Sequence, residues 1–306
     1  MLVDPDLKRA EALGQSLGGV AATATDYREV LAAVQGAIIA VPHHLHYPIA
    51  ADCLRSRVAV LCEKPLTETA QQAKDLVALA DGNGVALLVN NMRRRYPSLV
   101  DITRLLRAGE LGTLRDIQIA WGEKFDWNAA SGFYFARAGA GRGALLDRGA
   151  HMLDLLCWWM GGLPRLVACE DDSFGGSEAV VSVQVEKDGV SGRMDLSWLS
   201  RYSNDIRITG SAGRIELGVY DWRSYTLALA GRAPRVVKLP APGPTPRDVA
   251  RDMIDNFIAV LRGQAAPHVS GRDVIDAIAL TEMCYAARTR FALPWHDAWT
   301  RVTHAR

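Results

Sequence analysis

The sequence predicts an α/β protein in two parts. An N-terminally incomplete parallel sheet spans residues 1–97, and an α+β domain with a mostly antiparallel open sheet spans 98–306. Three observations carry this. Short apolar runs at 36–41, 58–62 and 85–89 alternate with helical stretches, the pattern of a parallel, doubly wound sheet. From residue 114 the hydrophobic period shortens to two, and Asp188-Gly189 supplies the turn of a hairpin. Two late stretches, 248–262 and 273–288, return to a helical period.

The elements follow in order. Apolar residues at 7, 10, 13 and 17 form a helix stopped by Gly18-Gly19. Asp26 caps a second helix start at 26–31. The strand over 36–41 is closed by Pro42, and a helix over 46–55 leads to the strand over 58–62. That strand opens into Glu63-Lys64-Pro65, followed by a helix over 67–80 and a strand over 85–89. A helix over 98–107, ended by Gly109 and Gly112, connects to the second part. There the alternating runs are 115–121, a hairpin of 179–186 with 190–199, a second of 205–210 with 213–217, and a third of 225–228 with 235–239. Residues 241–246, rich in proline, link these strands to the last two helices.

Composition excludes several classes. With 49% hydrophobic and 23% charged residues, the 306-residue chain has an ordinary globular balance. Thirty-five basic against 34 acidic residues leave a formal charge of +1, which gives no electrostatic reason to expect nucleic acid or an anionic membrane as partner. No apolar run approaches a membrane span, and the first residues do not read as a signal peptide. Five scattered cysteines without a C-x-x-C pair argue for reduced thiols in a cytoplasm, and against zinc or a disulfide framework.

Two stretches carry chemistry. Ligands bind at the carboxyl ends of strands in open α/β sheets. Lys64 stands at such an end, with Pro65 fixing the turn behind it; read alone, it is equally an ion-pairing surface lysine. In the helical stretch 143–160, Asp147 and His151 are four apart and Asp154 lies three further on, so all share a face. That face suits acid–base chemistry, or alternatively a capping aspartate and a satisfied histidine. With no third ligand evident, a metal is not expected.

A dinucleotide-binding fold opens with a strand, a G-x-G-x-x-G turn and a helix, and an acid about 20 residues later takes the ribose hydroxyls. Asp4 stands where that acid would, at the end of a strand represented by residues 1–3, and the chain contains no G-x-G-x-x-G. The expectation is a sheet without its central strand and phosphate cradle. Either about 30 residues precede this sequence in the natural protein, or the chain is a cofactor-free descendant of the fold.

Glu63-Lys64-Pro65 together with Asp147-x-Gly149-x-His151-x-x-Asp154 resembles the glucose–fructose oxidoreductase / inositol dehydrogenase / MocA family. Segments 40–46, 94–97, 255–257 and 269–271 extend the likeness over nearly the whole chain. The resemblance implies a Rossmann-like domain followed by a C-terminal α+β domain for substrate binding and oligomerisation. It also implies an NAD(P)-dependent oxidoreductase acting on a hydroxyl or carbonyl of a sugar, cyclitol or related small molecule, as a homodimer or homotetramer. Under it Lys64, Asp147 and His151 are catalytic, with His151 the main proton acceptor and Lys64 its electrostatic partner. Asp4, Ala40, Val41, Pro42, His46, Glu63 and Lys64 line the cofactor. Arg94, Trp127 and Tyr134 are substrate candidates, the last two in an aromatic loop with Phe125, Phe133 and Phe135. Asp4 favours NAD over NADP, against nearby Lys8 and Arg9. Without the glycine turn, weak NAD binding is expected of these 306 residues. The alternative on the same fold is a cofactor-free acid–base enzyme for elimination or epimerisation, or a binding protein.

Overall fold

The computed structural model describes residues 1–19, 22–126, 143–173, 176–240 and 245–292. Strand β1 (Leu2–Val3) pairs in parallel with β2 (Thr23–Ala24), and α1 (Leu7–Ser16) lies between them in sequence. Asp6 caps α1 by accepting the Lys8 N–H. A 3₁₀ segment, Tyr27–Ala33, then leads to β3 (Gly36–Ile39), α2 (His46–Arg55), β4 (Ala59–Glu63), α3 (Ala70–Asn83) and β5 (Leu87–Asn90). Strands β3, β4 and β5 form a second parallel sheet in that order. Helix α3 starts later than the sequence reading placed it. Thr69 keeps extended backbone and its hydroxyl accepts the Gln72 N–H, so the cap fixes the first turn at Ala70. Gly84, at φ 64°, ends it in the left-handed conformation glycine favours. The two parallel sheets share no ladder, and among the described residues no strand pairs with the outer side of β1 or β3.

Helix α4 (Pro97–Arg107), with proline at its first position, leads into the second part. Its strands are β6 (Leu114–Gly122), β7 (Arg165–Asp171), β8 (Val180–Lys187), β9 (Val190–Ser197), β10 (Asp205–Gly210), β11 (Gly213–Gly218), β12 (Ser224–Leu229), β13 (Arg235–Lys238) and β14 (Thr289–Arg290). They make one nine-stranded sheet in the order β13-β12-β11-β10-β6-β9-β8-β7-β14. All neighbours are antiparallel except β6–β9 and β7–β14, which are parallel. Strand β7 carries a register shift between Leu166 and Ala168, which breaks the period of two and hides the strand in the sequence. The alternation sets the layers. Ile117, Ile119, Val181, Val183, Met194, Leu196, Ile206 and Ile208 point inward, where α5 (Ala150–Met160) and α7 (Ile275–Ala287) supply Leu153, Leu156, Leu280 and Cys284 to the same core. The other face carries Arg193, Asp195 and Arg207. Among the described residues no helix is long and apolar enough to cross a membrane.

The expected boundary at residue 97 needs correction, because the chain returns. Helix α6 (Pro246–Leu261) and the segment after it pack largely on the parallel sheet, with Val249 alone of α6 joining the core under the nine-stranded one. Phe257 joins Ala59, Leu61 and Leu88 on one face, and Met253, Val269, Val274 and Ile278 join Val60, Cys62 and Val89. A buried parallel sheet needs apolar cover on both faces, and α6 supplies part of it.

Candidate active site

The carboxyl ends of β4 and β5 point at the helix that carries Asp147 and His151. Residues Leu145–Gly149 form a single π turn that runs directly into α5. Its start is anchored by Glu178, whose carboxylate accepts the Leu145 N–H at 2.9 Å and the Tyr285 hydroxyl at 3.0 Å. Gly149 lets the turn sit close to the sheet: a Cβ there would come within 2.9 Å of Leu145 Cδ1 and 3.3 Å of Leu196 Cδ1. Lys64 Nζ donates to the Asp147 carbonyl at 2.9 Å and to its carboxylate Oδ1 at 3.3 Å, joining residues 83 positions apart. Both side chains are largely buried, at 18% and 9% exposure. The third Lys64 N–H has no acceptor among the described residues.

His151 belongs to the same cluster. Its Nδ1 lies 3.2 Å from Asn91 Oδ1. The Asn91 amide also donates to Asp154, which orients its oxygen towards the imidazole. Nδ1 therefore carries the proton and Nε2 holds a lone pair. Burial, Lys64 and Arg93 together push the His151 pKa well below its usual value, so the ring is neutral. Asp154 is held in turn by Arg94, with Nε and Nη2 donating to its two oxygens at 2.8 and 2.7 Å. Burial pushes the Asp154 carboxyl up, and the guanidinium and the Asn91 amide oppose that.

The other expected site residues divide. Glu63 ends β4 and accepts from Asn90 Nδ2 at 2.6 Å; Ala40, Val41 and Pro42 follow β3, with Ala40 exposed. Asp4 follows β1 and takes the Asp6 N–H on Oδ1 at 2.8 Å. These strand ends present a carboxylate and a small side chain, and Lys64 and Asn91 follow the next two, so the strand ends carry polar groups of the kind a dinucleotide needs. Two expectations are corrected. His46 is fully buried, its ring nitrogens 2.7 Å from the Pro65 carbonyl and 2.9 Å from the Val41 carbonyl; it fastens one strand-end loop to the other and does not face a ligand. Arg94 is consumed by Asp154 and the Asp273 carbonyl, so it braces the two parts of the chain. Trp127, Phe133, Tyr134 and Phe135 lie outside the described residues. Phe125 packs on Trp198 with ring centroids 4.9 Å apart.

The sequence reading missed Asn91, Arg93 and Arg148. Asn91 follows β5 as Lys64 follows β4, so the strand-end rule that selects one also selects the other. Arg93 and Arg148 lie over the same Trp121 ring, 4.5 and 5.1 Å from its centroid. Beside that ring, Trp121 Nε1 donates to the Tyr220 hydroxyl, which donates to Glu123 at 2.7 Å.

A lysine and a neutral histidine converging at the carboxyl edge of a parallel sheet, under an open antiparallel sheet, define a two-part oxidoreductase of the dinucleotide-binding kind. The chain belongs to the glucose–fructose oxidoreductase / inositol dehydrogenase / MocA family. Residues 1–91 match its oxidoreductase domain with an NAD-binding Rossmann fold, and residues 99–216 match its C-terminal domain. It is 27% identical to D-apiose dehydrogenase of Paraburkholderia graminis, over 93% of this chain and 79% of that one. Two solved structures share the fold. A levoglucosan dehydrogenase with NADH and levoglucosan superposes with TM-score 0.82 at 18% identity, over 93% of this chain and 86% of that one. A 3-ketoreductase from Actinomadura kijaniata with NADP and TDP-benzene gives 0.80 at 20%, over 95% and 90%.

Proposed function

We propose that this protein is an NAD(P)-dependent dehydrogenase that interconverts a hydroxyl and a carbonyl on a sugar, cyclitol or related small molecule. The observation that carries the reading is the cluster of Lys64, Asp147 and His151, with the histidine tautomer set by Asn91. When bound, the oxidised nicotinamide supplies the acceptor for a hydride from the carbinol carbon. Asp4, Ala40, Val41, Pro42 and Glu63 are the residues that would hold the cofactor. Asp147 pairs with Lys64 and aims it, and the remaining N–H bonds the substrate oxygen. His151 Nε2 receives the hydroxyl proton as the hydride leaves. The buried, cation-flanked ring is a weak proton acceptor, so the field of Lys64 on the developing oxygen carries more of the catalysis than the sequence alone suggests.

Two coarser features support related proposals. The polar outer face of the nine-stranded sheet, on which no helix of the described residues packs, supports assembly as a homodimer or homotetramer. Five buried free thiols support a cytoplasmic location.

The test is steady-state turnover of aldoses and cyclitols with NAD⁺ and NADP⁺, read by absorbance of the reduced nicotinamide. Lys64→Ala and His151→Ala should each lower kcat by about 10²–10⁴-fold. Full turnover in either variant refutes the assignment.

A further inference from the structure

Two guanidinium groups beside this cluster, Arg93 buried and Arg148 half-buried, have no carboxylate partner among the described residues. We propose that the site takes a substrate bearing a carboxylate, an aldonate or uronate, gripped by Arg93 with Arg148 behind it; this rests on the dehydrogenase reading above.

Neighbouring arginines show the contrast. Arg94, Arg95 and Arg104 each meet an aspartate within 3 Å. Arg93 is only 7% exposed, yet its polar contacts are one Nη1 bond to the Val219 carbonyl and the faces of Trp121 and Tyr96. Arg148 gives Nη1 to the Ser197 and Glu123 carbonyls, at 2.7 and 3.3 Å, and lies over the same Trp121. Neither forms an ion pair among the described residues, and their Nε and Nη2 protons have no acceptor there. Burying a cation without a counter-charge is costly, and carbonyls and ring faces offset only part of that cost. A carboxylate carried by the substrate supplies the missing charge and matches the planar donor edge.

Position and charge agree. Arg93 lies two residues beyond Asn91, which bonds His151, and Arg148 directly follows Asp147, which bonds Lys64, so both guanidinium groups flank the cluster. The Glu123 carboxylate accepts from Tyr220 and Asn204 at 2.7 and 3.1 Å and reaches neither arginine. Lys64 and Asp147 balance each other. Arg93, Arg148 and Glu123 then leave one net positive charge, which a carboxylate neutralises and a phosphate dianion exceeds.

The experiment is titration calorimetry of the full chain with D-galacturonate, D-glucuronate and D-gluconate against D-galactose and D-glucose, with glucose 6-phosphate as the dianion. At least one carboxylate should bind about tenfold or more tightly than its neutral counterpart. Arg93→Gln should bring that pair within about twofold, Arg93→Lys should keep most of the preference, and Arg148→Gln should reduce it. If Arg93→Gln does not fold by circular dichroism, the other two variants decide. No carboxylate binding above its neutral counterpart, a preference for the phosphate ester, or a preference unchanged in the variants overturns the proposal. Turnover confined to neutral sugars would overturn it and leave the dehydrogenase standing; carboxylate binding without nicotinamide-dependent turnover of any probe would do the reverse.

Discussion

Lowering the pH from 7.5 to 5.0 should destabilise this protein through His43, by an amount the structure allows to be worked out. His43 is 9% exposed and stacks edge-on against His46, with ring centroids 5.6 Å apart. Burial, the neighbouring His46 and Lys64 push its pKa from 6.5 down to about 3. A depressed histidine pKa means that the unfolded chain binds a proton the folded chain refuses. The stabilisation is therefore complete above pH 6.5 and is lost as pH falls from 6.5 towards about 3. The slope in that window is about 1.4 kcal/mol per pH unit for one histidine, so at pH 5.0 the loss is about 2 kcal/mol. The figure barely changes for any folded value below about 4, because the unfolded state then sets it. Burial lowers the His46 pKa as well, against two carbonyl oxygens that favour the charged ring, but His46 is present in both proteins compared and its contribution drops out of their difference. The assay is urea unfolding followed by circular dichroism at intervals between the two pH values, for the wild type and His43→Gln. Between pH 7.5 and 5.0 the variant should lose about 2 kcal/mol less than the wild type. Parallel curves for the two proteins would refute the reasoning.

Two further outcomes follow from the same cluster. Arg94→Met leaves Asp154 buried without its bidentate partner and should cost about 3–5 kcal/mol in urea unfolding at neutral pH; a cost below about 1 kcal/mol would show the pair to be solvated. Asn91→Ala removes the acceptor that fixes the His151 tautomer and should lower kcat about a hundredfold with KM nearly unchanged. Nitrogen-15 shifts of the ring should show the proton no longer confined to Nδ1.

Much of the fold was legible because it rests on local periodicity. Strands β3, β4 and β5 are short apolar runs ended by turn residues, and the β8–β9 hairpin carries its Asp188-Gly189 turn in plain view. What was hidden depends on distant pairing. Arg94 was read as a substrate contact because nothing nearby in sequence reveals Asp154, 60 residues on, as its partner. His46 was read as a cofactor contact because strand-end position does not show which way a ring turns. The π turn is likewise silent, since its residues suit an α-helix equally well. Asp147 and His151 were visible as a helical pair, but Asn91, which decides the state of the histidine, acts from another strand end.

The return of α6 to the parallel sheet bears on how such proteins are shuffled in evolution. Phe257 and Leu261 press so closely on β3 that a Cβ on Gly36 would meet each at 2.9 Å. A gene fragment ending near residue 97 thus encodes a half-dressed sheet, with Ala59, Leu61 and Leu88 bared to water. Exchange of the nucleotide-binding half between relatives has to carry two separate coding segments, the first strands and the late helix, or lose that face. The half built on the parallel sheets is thus encoded by two stretches with strands β6 to β13 between them.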